Sequence, residues 1–370
     1  MRASISRKTI PAGQRIRVLV VDDSVVIRRL VTHALSEEPA VEVVGAASNG
    51  SIALERIAQL NPDAITLDIE MPGMDGLALL RRLKDRANRP RVIMFSTLTD
   101  RGAAATLEAL ALGADEYVTK AANVGSLDRS MASLRTELIP KIRQFFQWAG
   151  VSRPSVAAVS GLPKVPFSAM AGSRSLPPKI VAIGVSTGGP TALAAILPQF
   201  PPDFPLPILI VQHMPPLFTR FLAERLQAVA HLKVAEAVQG VRVARGVIWV
   251  APGDYHMRVH GHAEGVVIQL DQAPPENSCR PSVDVLFRSV AEVYGAAVVS
   301  VVLTGMGQDG LRGAQALRGR DAFVIAQDEA SSVVWGMPGA VAEAGLANCV
   351  LPLEEVVPEV LKQVGAGVAR

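Results

Sequence analysis

Cysteine is scarce in this chain. Two among 370 residues, Cys279 and Cys349, cannot form a disulfide framework. Their isolation points to a reducing, cytoplasmic compartment, and neither has the spacing of a metal-ligand pair, so both read as small buried hydrophobes. Long apolar runs are missing too. No stretch reaches the roughly 18 residues that cross a bilayer, so the chain is not expected to be membrane-embedded. Nor is there an excess of charge of one sign: 37 Lys and Arg against 34 Asp and Glu leave a net +3. With no basic stripe and no helix-turn-helix pattern, nothing points to a nucleic acid. The N-terminus carries Arg2, Arg7, Lys8 and Arg15 with no hydrophobic block behind them. That argues against a secretory signal and predicts a disordered tail over residues 1–15.

Hydrophobic residues make up 49% of the chain and charged ones 19%, the balance of a globular protein with room for two domains. In the first part, short β-branched runs alternate with amphipathic helical patterns. Strands are predicted at Arg17–Val21, Val41–Ala46, Ala64–Leu67, Arg91–Phe95 and Glu116–Val118, with helices between them. This is the βαβ alternation of a doubly wound parallel sheet, whose ligands gather at the carboxyl ends of its strands. Those ends carry Asp22, Asp23, Asp68, Ser96 and Lys120. Three converging carboxylates repel one another unless a hard cation such as Mg²⁺ neutralises them. A hydroxyl and an ammonium opposite suit the oxygens of a transferred phosphoryl group.

A last helix is predicted over Ser126–Gln147, broken or bent at Pro140. Beyond it the pattern dissolves. Pro154, Pro163, Pro166, Pro177 and Pro178 mix with Ser, Gly and Ala, the composition of a linker over 148–176. The expected organisation is a tail (1–15), a first domain (16–147), the linker and a second α/β domain (177–365).

The second domain opens on Gly184-Val185-Ser186-Thr187-Gly188, a G-x-S-x-G turn between an apolar run and a helical pattern. Such a turn lifts a serine hydroxyl off its sheet next to the free amides of a helix N-terminus. A base is needed. Of six histidines, His213 alone ends a predicted strand (Leu206–Val211) close behind the turn; His256, His260 and His262 crowd a hairpin. An orienting acid is needed as well. Asp309 follows a second glycine-rich turn, Thr304–Gly310, at the end of the predicted strand Ala297–Leu303. It is favoured over Asp284, which suits the first turn of its own helix. The amides of Gly305–Gly307 are candidates for an oxyanion hole. Ser186, His213 and Asp309 then form a nucleophile, base and acid in an order unlike that of α/β-hydrolases, with no cofactor for the hydrolysis itself.

Two resemblances add to this reading. Residues 17–135 resemble the receiver domain of response regulators, a flavodoxin-like fold. On that likeness Asp68 is the phosphoacceptor, Asp22 and Asp23 complete the Mg²⁺ site, and Ser96 and Lys120 bind the phosphoryl group. Met71–Gly76 matches the loop after the phosphoacceptor, while Ala121 replaces the proline that usually follows the lysine. Residues 177–363 resemble the catalytic domain of chemotaxis protein-glutamate methylesterases, the CheB family. The matching blocks are Ile183–Gly189, Gln212–Pro216, Ala251–Asp254, Arg280–Asp284, Leu303–Gly310 and Ala326–Ser331. The likeness implies a catalytic triad of Ser186, His213 and Asp309, with the Met306 amide and Thr187 stabilising the oxyanion. It further implies methylated chemoreceptors as substrate, glutamine deamidation as a second reaction, and a histidine kinase as phosphodonor. A response regulator whose second half only binds a partner would instead carry an idle triad.

Overall fold

The structure is a computed structural model that describes residues 8–84, 86, 88–120, 127–149, 176–263 and 265–368. The described residues fall into two compact units, within 7–153 and within 154–370. Residues 150–175 of the expected linker and Ala121 lie outside the described residues.

In the first unit β1 (Lys8–Ile10) precedes β2 (Ile16–Val21), and α1 (Val25–Ser36) starts at Ser24, whose hydroxyl accepts from the Ile27 amide. Then follow β3 (Val41–Ala47), α2 (Gly50–Leu60), β4 (Ala64–Asp68), α3 (Gly76–Leu83), β5 (Arg91–Ser96), α4 (Asp100–Leu112) and β6 (Glu116–Thr119). The sheet order is β3-β2-β4-β5-β6, all parallel. Its strands are apolar on both faces because helices cover both, and Leu19, Ile65, Leu67 and Ile93 are fully buried.

Two expectations need correction here. The tail is not wholly unstructured, because β1 pairs in parallel with β7 (Phe146–Trp148), and Ile10 is 97% buried. The last helix, α5 (Leu127–Arg143), runs through Pro140 without ending there and stops before Phe146. Phe146 and Trp148 are better suited to a strand, where aromatic side chains pack on neighbours, than to the end of a helix.

The second unit contains β8 (Ile180–Val185), α6 (Gly189–Ile196), β9 (Ile208–Gln212), α7 (Phe218–Gln227), β10 (Lys233–Glu236) and β11 (Val247–Val250). After the hairpin β12 (His256–His262) and β13 (Gly265–Asp271) come α8 (Val283–Tyr294), β14 (Val298–Val302), α9 (Leu311–Arg318), β15 (Phe323–Gln327), α10 (Met337–Glu343), β16 (Cys349–Leu351) and α11 (Leu353–Val368). The main sheet is parallel throughout, in the order β10-β11-β9-β8-β14-β15-β16. Val266–Leu270 belongs to the separate antiparallel hairpin, whose Met257, Val259 and Ile268 pack on the core beside α8. Strand order reverses between β8 and β14. In an open α/β sheet the crevice beyond such a reversal is where ligands bind.

Candidate active site and phosphorylation site

At the reversal, β8 ends in Val185 and the chain turns at Ser186 into α6. The left-handed residue of the turn is Gly188, at φ +79°, so the serine itself is spared that conformation. Gly184 is required by packing: a Cβ there would lie 2.8 Å from Val283 Cγ2, at the start of α8. Ser186 is held from both sides of its strand. Its amide donates to Thr304 O at 3.0 Å, beyond β14, and its carbonyl accepts from Gln212 Nε2 at 2.9 Å, at the end of β9.

His213 follows β9, and its amide donates to Val185 O. Its Nε2 lies 2.8 Å from Asp309 Oδ2. Asp309 is 98% buried and is surrounded by donors. The Val283 and Asp284 amides at the open end of α8 bond it at 2.7 and 3.0 Å, the Ser282 hydroxyl and Asn277 Nδ2 at 2.8 Å each. Burial favours the neutral acid, but the hydrogen bond to His213 and the α8 amides outweigh it and hold Asp309 well below the usual carboxylate range. An ionised carboxylate can only accept, so His213 Nε2 carries a proton and Nδ1 is the nitrogen left to act as a base. Burial pushes the imidazole down, yet the bond to Asp309, with a smaller contribution from Cys279, leaves it raised.

Of the two candidate acids, Asp309 is the one that contacts His213. Asp284 Oδ1 accepts from the Gly313 amide at 2.6 Å and its Oδ2 from Asn277 Nδ2 at 2.9 Å. It therefore caps the first turn of α9 rather than its own helix. Sequence reasoning left Asn277 and Ser282 without a role, and only the fold shows that both bond Asp309. His256, fully buried, fixes Ser282 in turn by accepting from its amide at 3.2 Å. Neither cysteine is the fully buried hydrophobe expected: Cys279 and Cys349 are both half-buried, and Cys279 Sγ lies 3.5 Å from His213 Nδ1.

Among the described residues no hydrogen bond joins Ser186 Oγ to His213. Of the expected oxyanion amides, Gly305 is committed, donating to Val334 O at 2.9 Å. Met306 is 40% exposed, and its amide has no partner among the described residues. Thr187 is buried, and its carbonyl accepts from Thr304 Oγ1.

In the first unit, oxygens of Asp22, Asp23 and Asp68 lie within 4.8 Å of one another at the carboxyl ends of β2 and β4. Lys120 Nζ reaches Asp22 at 3.0 Å and Asp68 at 2.8 Å, even with Ala121 behind it. Burial raises Asp68, with Asp22 adding to the effect and Lys120 opposing it. Ser96 sits at the end of neighbouring β5, but its hydroxyl donates to Gly102 O at 3.0 Å rather than into the cluster.

Comparisons with known proteins bear on both sites. A family model described as CheB methylesterase matches residues 181–360, and one described as response regulator receiver domain matches 18–132. A protein-glutamate methylesterase/protein-glutamine glutaminase of Trichodesmium erythraeum is 50% identical over 95% of this chain and 99% of its own length. One of the same name from a Nocardioides species is 52% identical over 94% of this chain and 95% of its own. The Thermotoga maritima CheB methylesterase catalytic domain has a solved structure, 44% identical, covering 51% of this chain and 98% of that one, with a TM-score of 0.49. No helix among the described residues is long and apolar enough to cross a membrane. Matched along nearly its whole length by such relatives, the chain belongs to the CheB methylesterase family, with a response regulator receiver in front of the hydrolase domain.

Proposed function

We propose that this chain is a phosphorylation-activated serine hydrolase that removes methyl groups from γ-glutamyl methyl esters on the cytoplasmic helices of chemoreceptors and deamidates glutamines there. The observation that carries the reading is the 2.8 Å His213–Asp309 pair beside the serine-bearing turn, where strand order reverses. The relatives' names support protein glutamate methyl esters and protein glutamines as the reacting groups.

In the reaction, Ser186 Oγ rotates onto His213 Nδ1, gives up its proton and attacks the ester carbonyl. The oxygen that becomes negative is met by the Met306 amide, with Thr187 beside it. Nδ1 then returns the proton to the leaving methoxide, which departs as methanol, or to the leaving amine when the substrate is glutamine. Water, deprotonated by the same nitrogen, opens the acyl-enzyme and regenerates Ser186. Asp309 keeps the proton on Nε2 throughout and stabilises the imidazolium.

Regulation falls to the receiver, taken as residues 16–147 with β1 added and 148–176 as the joint. A histidine kinase donates a phosphoryl group to Asp68. The hard oxygens of Asp22, Asp23 and Asp68 fit Mg²⁺, which neutralises phosphoryl charge when bound. Lys120 meets the phosphoryl oxygens directly, and Ser96 does so once its hydroxyl turns from Gly102. In a test, the purified chain releases methanol from methylated receptor membranes and Ser186→Ala releases none. Undiminished release by that variant would overturn the serine mechanism.

A further inference from the structure

The turn Glu276–Cys279 brings a thiol to the candidate base. Glu276 and Cys279 exchange both backbone hydrogen bonds, 3.1 and 2.9 Å, and Asn277 and Ser278 between them take φ +53° and +62°. Two consecutive positive values define a tight primed turn. It is anchored by the Glu276–Arg288 pair, bonded at 2.7 and 2.6 Å, and by Asn277, which bonds Asp284 and Asp309. Cys279 Sγ is thereby held 3.5 Å from His213 Nδ1.

That distance has a chemical meaning. A tetrahedral zinc ion with bonds of about 2.3 Å to sulfur and about 2.0–2.1 Å to nitrogen sets those two ligands about 3.6 Å apart. The second requirement of a zinc-bound imidazole is a carboxylate on its other nitrogen, which fixes the tautomer and the ring plane. Asp309 supplies it at 2.8 Å. A thiol sulfur and an imidazole nitrogen 3.5 Å apart, with a carboxylate behind the imidazole, are the ligand types that suit a borderline-soft metal. The receiver's acidic cluster, all oxygen, suits a hard cation instead.

We propose that His213 Nδ1 and Cys279 Sγ form a binding site for Zn²⁺ or a similar borderline-soft divalent cation, and that occupancy inhibits the hydrolase. On binding, the Cys279 thiol loses its proton to solvent and the Nδ1 lone pair goes to the metal, while Nε2–H stays on Asp309. Water fills the remaining positions. The atom assigned as general base is then blocked, and Ser186 cannot be deprotonated. Inhibition rests on the proposed reaction; occupancy does not.

Co²⁺ titration of the full-length chain separates the two. Co²⁺ bound through Cys279 gives a thiolate-to-cobalt charge-transfer band that oxygen ligands cannot produce. The band is expected in the unmodified chain and in Cys349→Ser, and lost in Cys279→Ala. Its absence from the unmodified chain, or its persistence in Cys279→Ala, overturns the site. In the methanol assay Zn²⁺ is expected to inhibit reversibly, with EDTA restoring the rate. Cys279→Ala should raise the half-inhibiting Zn²⁺ concentration at least about tenfold, since one of two protein ligands is gone. A cobalt band without zinc inhibition would overturn the regulatory half alone. A band in a chain that hydrolyses no ester would instead count against the proposed reaction.

Discussion

Ser186 stands where it does because the residue facing it has no side chain. A Cβ on Gly305 would lie 2.8 Å from Ser186 Cβ and would also strike the Met337 sulfur. Gly305→Ala must therefore displace either the serine or the Thr304–Gly307 turn that carries the Met306 amide. Displacements of about 1 Å at a reacting centre cost on the order of 10²-fold in rate. The variant should lose about that much kcat/KM while keeping its circular dichroism spectrum, and full activity would show that the turn is not part of the site. Asp309 gives a second prediction at this scale. Its bond to His213 is what raises the imidazole against burial, and a general base works only when unprotonated. Removing the carboxylate leaves burial, opposed only by the smaller contribution of Cys279, to lower the imidazole. Asp309→Asn should thus lose about 10⁴-fold in activity, and the acid limb of its residual pH profile should move to lower pH. A limb that stays in place or moves up would contradict this account. That Ser186, His213 and Asp309 lie at strand ends on one edge was legible in the sequence, Ser186 and Asp309 from their glycine-rich turns and His213 from the apolar run before it. Asn277, Ser282 and Cys279 were not, because each acts through a partner far away in sequence: Cys279 meets a histidine 66 positions earlier.

At the scale of elements, alternation of apolar runs and amphipathic patterns was enough to read two parallel sheets. What it could not supply was the pairing of short strands at the ends of a unit. Lys8–Ile10 has only three residues, too few for a periodic signal, and becomes a strand because Phe146–Trp148 lies alongside it. The same applies to α8. Its amphipathic pattern was readable, but not that its first-turn amides point at a carboxylate from another loop, a use of the helix dipole that depends on tertiary placement. The N-terminal strand makes a direct test. Ile10 is buried to 97%, so Ile10→Ala should destabilise the receiver unit by about 2–5 kcal/mol in urea unfolding. An unchanged midpoint would return these residues to the unstructured tail.

In the whole molecule, two strand-end sites have opposite electrostatic designs. Around Asp309 the groups bonded to the carboxylate are donors, so it stays charged and held in place. Around Asp68 the neighbours are two more carboxylates and one lysine, and the net effect of burial and Asp22 is to disfavour its charge. The first arrangement suits a residue that must not change state during catalysis. The second suits one whose state is meant to change, because a cation and a phosphoryl group relieve the crowding of like charge. If the second site governs the first, the ratio of methanol release with and without a small-molecule phosphodonor and Mg²⁺ should exceed one in the unmodified chain. In Asp68→Ala it should fall to one, because no carboxylate remains to accept the phosphoryl group. Stimulation that survived this substitution would place the phosphorylated residue elsewhere and remove Asp68 from control of the hydrolase.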